Sequence, residues 1–429
     1  MRVAVVGTGY VGLVTGVVLA ELGNDVICVD NNPEKVRLLS EGFSPIYEPG
    51  IEEMLRRVLK SKHLQVTDSI EFATQNSEVI FIAVGTPPTA DGSPDVSAVV
   101  AVATAIGKAI KHHVVVVNKS TVPVGSGDLV EDIIAKQGVS EDMFDIVSNP
   151  EFLREGSAIR DTLHPDRIVI GAKRRAAADK LIELYATLEA PVIVTDLNSA
   201  ELIKYGSNSF LAMKISFING LSRICELCDA NIDDVAKGMG FDQRIGRQFL
   251  NAGLGWGGSC FPKDVIGLVK TSERLGYEFN LLREVVNVNN EQTLHFLARL
   301  EARLGSFEGK RISLMGLAFK PDTDDIRDAK SVVIIQELLL KGAKVAAYDP
   351  MAAGHVRKLF PQIEYSENIE GLAKDADALI LVTEWNEFRQ LNLAAISELM
   401  AQPIMFDGRR IYNRHLAELA GFEYCSIGS

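Results

Sequence analysis

Short, uninterrupted runs of β-branched and aliphatic residues recur along the first half of the chain: "RVAVVG", "DVICVD", "EVIFIAVG", "VVVVNKS", "FDIVSNP" and "RIVIGA". Runs without polar alternation predict strands covered on both faces, as in parallel sheets. Helical patterns lie between them, which predicts a doubly wound α/β domain closing with "APVIVTD" near residue 197. From Ser199 to about Arg303 the strand signal fades. "NSAELIKYGSNSFLAMKISFINGLSRICELCDA" keeps a helical period over some thirty residues, roughly 45 Å at the rise of an α-helix. A helix of that length predicts a spine between domains, a dimer core, or both. A second α/β pattern then opens at "KRISLMGLAFKPDTDDIRDAKS" and continues through "KVAAYDP", "ADALILVTEW" and "PIMFDGRR". The expected division is 1–197, 198–303 and 304–429, with no flexible linker between the parts.

Composition narrows the function. The 429 residues are 47% hydrophobic, enough for several cores, and carry 44 Lys and Arg against 57 Asp and Glu, a net charge of -13. No basic field would collect a nucleic acid, so none is expected as a partner. An anionic ligand would have to be held by a few local cations and helix N-termini. No apolar run reaches the length of a membrane span, and the opening "MRVAVVG" reads as a strand rather than a signal peptide. The five cysteines Cys28, Cys225, Cys228, Cys260 and Cys425 are an odd number without framework spacing, so a reducing, cytoplasmic setting is expected. Cys225 and Cys228 form a C-x-x-C without a second ligand pair. They are expected to pack on one face of the long helix, and no metal is expected.

"GTGYVG" sets Gly7, Gly9 and Gly12 directly between the first strand and a helix. The first glycine permits the tight turn, the second lets backbone approach a pyrophosphate, and the third lets helix and strand pack closely. Asp30 ends the next strand, where its carboxylate can accept from both ribose hydroxyls and repel a 2′-phosphate, so NAD is expected rather than NADP. The later echo, "MGLAFKPDTDD", keeps Gly316 but has Ala318, and it carries Lys320 and Arg327. Those cations suit a nucleotide-sugar diphosphate about as well as they suit plain solvated charges. The fold class is therefore α/β, two Rossmann-like doubly wound domains joined by a central helical domain with a long spine helix.

"GLGWGGSCFPKD" presents Cys260 behind four glycines and ahead of Lys263 and Asp264. Glu151 and Glu155 lie four apart in "EFLREG", near a strand end, and Lys204 and Asn208 lie four apart in "LIKYGSNSF", where they would share one helix face. Taken singly, a small buried cysteine, an exposed acid pair and a surface lysine are the commoner meanings. Together with an NAD site they point to oxidation of an aldehyde. A thiolate adds to the aldehyde, the adduct loses hydride, and a thioester remains for water. A nearby ammonium, Lys204 or Lys263, would encourage ionisation of the thiol. Lys204 and Asn208 could donate jointly to an oxyanion, and a glutamate could act as base towards water.

"GTGYVG", "PIYEPG", "VGTPP", "STVPVG", "NPEFLREG", "HPDRIVIG", "GGSCFPKD", "GLAFKPDTDDIRD" and "FDGRR" stand in the order found in the UDP-glucose/GDP-mannose dehydrogenase family, which the chain resembles from residue 1 to about 412. The resemblance implies NAD-dependent four-electron oxidation of UDP-glucose to UDP-glucuronate. Cys260 would be the nucleophile, Lys204 and Asn208 the oxyanion donors, and Asp264 part of a proton relay. Glu151 would serve hydrolysis, with Thr121 close to the water and to NAD. The coenzyme would be held by Gly7, Gly9, Val11, Gly12, Asp30, Lys35, Thr86, Thr121, Glu155, Lys263 and Arg327. The sugar nucleotide would be held by Glu151, Phe152, Leu153, Arg154, Glu155, Lys204 and Asn208. It would also meet Phe249, Leu250, Asn251, Ala252, Gly253, Gly257, Lys320 and Arg409. Arg244 would reach the substrate of a neighbouring subunit, across a homodimer made by the helical middle. Ala252 replaces the family's usual Pro and Trp256 its Tyr or Phe, so the sugar pocket is open to variation. Phe261 and Ser259 favour the UDP-glucose branch. GDP-mannose as substrate, and a non-catalytic NAD-binding sensor, are the alternatives.

Overall fold

The computed structural model describes residues 1–429. It divides into two compact units, residues 1–207 with 266–277, and residues 208–265 with 278–429. The middle stretch is shared between them: the 32-residue helix Leu197–Cys228 starts in the first unit and runs on into the second.

The first unit is built on eight strands: β1 (Arg2–Val6), β2 (Asp25–Val29), β3 (Leu64–Thr67), β4 (Val79–Ile82), β5 (Val114–Asn118), β6 (Phe144–Ser148), β7 (Ile168–Ala172) and β8 (Val192–Thr195). Their order is β3-β2-β1-β4-β5-β6-β7-β8. Chain order reverses between β1 and β4, and such a switch point opens a crevice at the strand ends. β1, β4, β5 and β6 are buried nearly throughout, which is why they read as continuous apolar runs. The sheet is not wholly parallel, however. β6 and β7 pair antiparallel, Val147 with Ala172 and Ser148 with Gly171. The connection between them holds the "EFLREG" turn and only the six-residue helix Ala158–Leu163, which reverses the chain instead of crossing over.

The second unit holds β9 (Arg311–Met315), β10 (Lys344–Tyr348), β11 (Glu364–Tyr365), β12 (Ala378–Leu381), β13 (Ile404–Asp407) and β14 (Glu423–Ser426), in the order β11-β10-β9-β12-β13-β14. All of its pairs are parallel. The same reversal lies between β9 and β12, so the second unit repeats the first unit's plan. The helices Ile232–Gly240 and Asn280–Leu304 contribute Ile232, Phe296 and Leu300 to its core.

The C-x-x-C expectation needs correcting. Cys225 is in the core at 4% exposure, but Cys228 is exposed. Cys228 is the last residue of the helix, before Asp229 turns the chain at φ 55, and its thiol is left to solvent at that end.

Candidate active site

The turn after β1 has the geometry a dinucleotide needs. Gly7 sits at φ +98, and a Cβ there would come within 2.7 Å of the Ala83 carbonyl oxygen. A Cβ on Gly12 would lie 1.8 Å from the Gly7 oxygen, so only glycine lets the helix Tyr10–Glu21 pack this close. A Cβ on Gly9 would meet nothing within 4 Å. That open side, ahead of the amides of Tyr10, Val11 and Gly12, is where a pyrophosphate would be received; the first intrahelical bond runs from the Leu13 N–H to the Gly9 carbonyl, 2.9 Å. Asp30, at the end of β2, is fixed beside this turn. Its Oδ2 accepts from the Thr8 N–H at 3.0 Å and the Thr8 hydroxyl at 2.6 Å, and its Oδ1 from the Asn32 N–H at 3.0 Å. Lys35 Nζ is 3.7 Å away. Burial pushes the Asp30 carboxyl up, but these donors and Lys35 outweigh it and hold it below its usual value. An ionised acceptor at this place suits a ribose and opposes a 2′-phosphate.

Thr86 and Thr121 stand on the loops after β4 and β5, and the Thr86 hydroxyl donates to the Thr121 carbonyl at 2.8 Å, joining the two loops. In the "EFLREG" turn, Glu151 Oε2 accepts from the Leu153 N–H at 2.8 Å, and Glu151 Oε1 accepts from Lys204 Nζ at 3.0 Å. The Phe152 ring lies under Arg167, 3.6 Å from the guanidinium carbon, and 5.4 Å from Lys204 Nζ. Arg154 points elsewhere. Its guanidinium and its amide both bind Asp161, so the exposed side chain is engaged on the surface. Glu155 is buried. A small cavity lies between Thr121, Pro150, Ser148 and Lys204.

Three residues of this unit carry weight that motif reading missed. Glu48, in "PIYEPG", is buried and accepts from the Gly156 and Ala158 amides, both at 2.7 Å, and from the Tyr10 hydroxyl. It therefore ties the dinucleotide turn to "EFLREG". Glu201, one turn before Lys204, accepts from the Gly125 N–H at 2.7 Å, the Gly127 N–H at 2.8 Å and the Ser148 hydroxyl at 3.0 Å. It fixes the register of the long helix against the "STVPVG" loop. Lys119 donates to Asn149 Oδ1 at 3.0 Å. Burial, with the like charge of Lys204, pulls its ammonium down to about 8 although Glu151 opposes this.

In the second unit Cys260 immediately precedes the helix Phe261–Arg274, where the free N–H groups and the helix dipole favour negative charge. The Asp264 N–H bonds the Cys260 carbonyl at 2.9 Å, and the Ser259 hydroxyl is 3.5 Å from Cys260 Sγ. Asp264 is buried at 1% exposure and divides its carboxylate between two donors. Asn208 Nδ2 reaches Oδ2 and Lys263 Nζ reaches Oδ1, each at 2.6 Å. This clamp fixes the amide of Asn208 and a cation on the turn after the thiol.

The glycines ahead of Cys260 are required by the protein's own packing. A Cβ on Gly257 would lie 2.2 Å from the Asp328 carbonyl oxygen, and one on Gly258 would lie 2.6 Å from the Phe319 ring. The helix Asn280–Leu304 grips the loop from another side. Asn289 Oδ1 accepts the Trp256 N–H at 2.7 Å, Asn289 Nδ2 donates to the Trp256 carbonyl at 3.1 Å, and Thr293 donates to the Leu254 carbonyl at 2.8 Å. Trp256 Nε1 donates to Ser216 at 3.0 Å, and Phe261 stacks edge-on against the Trp256 ring. Leu250 and Ala252 are buried, so this stretch offers a ligand its backbone, while the exposed Asn251 is bonded by Arg247. Phe249 holds a left-handed φ of 63. Arg244 is on the surface, paired with Asp242.

Asp349, after β10, is the counterpart of Asp30 but is saturated. It accepts from the amides of Leu317 (2.6 Å), Ala318 (3.0 Å), Met351 (2.8 Å) and Ala352 (2.7 Å) and from Trp385 Nε1 (3.0 Å). It is a strut, and this half does not repeat the ribose site. Lys320 lies 5.4 Å over the Phe319 ring, Arg327 is paired with Asp325, and Arg409 donates to the Val382 carbonyl at 2.6 Å and the Phe319 carbonyl at 3.2 Å.

Three family models match the chain. They are the NAD binding domain, the central domain and the UDP binding domain of the UDP-glucose/GDP-mannose dehydrogenase family, at residues 1–189, 198–291 and 313–414. The chain is 47% identical over its whole length to a UDP-glucose 6-dehydrogenase, YwqF, of Bacillus subtilis, covering 98% of it. It is 43% identical to a UDP-glucose 6-dehydrogenase of Rhizobium meliloti, covering all of this chain and 99% of that one. Among solved structures it is similar to a UDP-glucose dehydrogenase of Pyrobaculum islandicum, with a TM-score of 0.94, 40% identity, and 99% and 97% of the two chains covered.

Proposed function

This chain belongs to the UDP-glucose/GDP-mannose dehydrogenase family, and on that premise we propose that it oxidises UDP-glucose to UDP-glucuronate through a thioester on Cys260. The observation that carries the reading is the placement of Cys260 at a helix N-terminus, one turn before an Asp264 clamped by Asn208 and Lys263. The Gly7–Gly12 turn and Asp30 would hold NAD, which when bound would supply the hydride acceptor for each of the two oxidations. Cys260 Sγ adds to the aldehyde left by the first, forming a thiohemiacetal whose oxygen is stabilised by Lys204 and the Asn208 amide. Loss of hydride from that carbon leaves the thioester. Glu151 takes a proton from water as it attacks the carbonyl, the C–S bond breaks, and the thiolate is restored with a free carboxylate as product. Asp264, already bound to Lys263, passes on the proton from the sugar oxygen.

The nucleotide sugar is received by the 304–429 part, with Lys320 and Arg409 as cations for its diphosphate. Residues 1–197 serve the coenzyme, and residues 198–303 supply the thiol. Phe210, Phe217 and Ile224 form a heptad-spaced stripe on the long helix, each more than half exposed at 58%, 55% and 57%, which supports a homodimer through that helix. Light scattering of the full chain and of Phe217→Asp tests it; a monomer in the unmodified chain sinks it. No helix is long and apolar enough to cross a membrane. Free thiols and a coenzyme of central metabolism suit the cytoplasm.

The decisive measurement is NADH formed per UDP-glucose consumed. Two are expected, and one would remove the thioester scheme. Cys260→Ser is expected to lose at least about 10³-fold in turnover while titrating with NAD as before. Turnover of GDP-mannose in preference to UDP-glucose, in a mixture of equal concentrations, would hand the reading to the other branch of the family.

A further inference from the structure

Lys330 is the first residue of the helix Lys330–Leu340 and is buried at 8% exposure. No hydrogen bond or ion pair holds its ammonium. A cation is poorly placed there, because the positive end of a helix dipole repels it and burial strips its water. The charges acting on it are Asp328, which favours its protonated form, and Arg409, which opposes it. Asp328 is weak compensation: burial pushes its own carboxyl up, Asp325 adds to the push, and Lys330 and Arg327 pull the other way.

The side chain points at the glycine loop ahead of Cys260. A Cβ on Gly255 would come within 2.8 Å of Lys330 Cε, and one on Gly253 would lie 3.5 Å from Arg409 Nη1. Asn289, on the remaining side of Gly255, carries no charge and is already bonded at both ends of its amide. Two cations thus converge on one short stretch of backbone; Arg409 is offset by Glu384, 3.2 Å from its Nε, whereas Lys330 faces only a reluctantly ionised carboxylate. A phosphate held beside Arg409 would give Lys330 the partner it lacks.

We infer that Lys330 is a further ligand for the diphosphate of the nucleotide sugar, acting with Arg409 across the Gly253–Gly257 stretch. The inference rests on the function proposed above. In the free protein the buried amine sits at about 8, so a bound phosphate draws a proton back onto it as pH rises past that value. The lysine is a cost to the empty protein and a gain to the complex.

Calorimetric titration of the full chain with UDP, at about pH 7 and pH 9, tests this on the unmodified protein and on Lys330→Met. Lys330→Met is expected to bind UDP roughly tenfold or more weakly at pH 7, with a thermal midpoint equal to or above that of the unmodified chain. The loss of affinity on going to pH 9 should be present in the unmodified chain and largely absent from the variant. Affinity within about twofold of the unmodified chain overturns the inference. So does a lower thermal midpoint accompanying the weaker binding, since a lysine required for packing would give that. If the unmodified chain binds GDP and not UDP, the substrate assignment fails, and the same comparison with GDP decides the role of Lys330. Binding of neither overturns both.

Discussion

Lys204 Nζ donates to Glu151 Oε1 over 3.0 Å with 3% and 6% of the two side chains left to water. A buried ion pair adds little net stability, but breaking it strands a charge. Glu151→Gln is therefore expected to destabilise the protein by about 3–5 kcal/mol, read by urea unfolding, and Lys204→Met added to it should recover part of that loss. If Glu151 serves hydrolysis, Glu151→Gln completes both oxidations once and then stalls. Mass spectrometry of the acid-quenched protein should find the sugar nucleotide attached to Cys260. Absence of the adduct, with steady turnover, would remove Glu151 from the hydrolytic step.

Asp30 decides between the two coenzymes if its carboxylate meets the ribose. Asp30→Ser is expected to raise the NADP-to-NAD ratio of kcat/KM by roughly 10- to 100-fold, about 1.4–2.8 kcal/mol of discrimination. An unchanged ratio would refute the assignment. The acid behaviour has a fixed sign. Folding holds this carboxyl below its unfolded value, so its contribution is complete above about pH 3.9 and is lost as pH falls through the lower folded value. The stability gap between Asp30→Ser and the unmodified chain should close over that acid window.

Much of this was legible in the sequence. "GTGYVG" and Asp30 show themselves because a coenzyme turn needs glycine at fixed offsets and an acid at the next strand end. The central strands stand out because burial on both faces leaves no polar alternation. The short strands β3, β11 and β14 went unread, since each lies at or next to a sheet margin or runs for only two to four residues. β7 was read as a strand in "RIVIGA", but not its antiparallel direction, because direction depends on the connection and not on the run itself. In "GLGWGGSC" the spacing signalled close backbone approach but not to what. The partners are Asn289, Asp328 and Phe319, which only tertiary folding brings to the loop. Glu48 stands in "PIYEPG" without a signal for its role, Lys119, Glu201 and Lys330 are single polar residues outside any motif, and the roles of all four depend on contacts that only tertiary folding makes.

Asp349 separates fold from function in the repeated half. With five donors on one carboxylate, Asp349→Asn leaves several buried N–H groups poorly matched and should cost about 2–4 kcal/mol of stability. Its KM for NAD should stay within twofold of the unmodified chain. A selective loss of NAD affinity would mean that this half also holds coenzyme.

Lys119 gives a test in alkali. The unfolded chain keeps this lysine protonated up to about pH 10.4, whereas the folded chain releases the proton near 8. Between those values the unfolded state binds more protons, so stability rises with pH, by at most about 1.4 kcal/mol per pH unit from this one group. Lys330 acts in the same direction over the same window. Lys119→Met should therefore lose part of the rise in urea midpoint between about pH 8 and pH 10, and at pH 7 it should be no less stable than the unmodified chain. The same substitution relieves Lys204 of a like charge while leaving its bond to Glu151 in place. Turnover near neutrality should then fall far less than in Lys204→Met. If instead Lys119→Met matches Lys204→Met in activity, the cation beside Asn149 meets the substrate itself, and the role of oxyanion donor passes to Lys119.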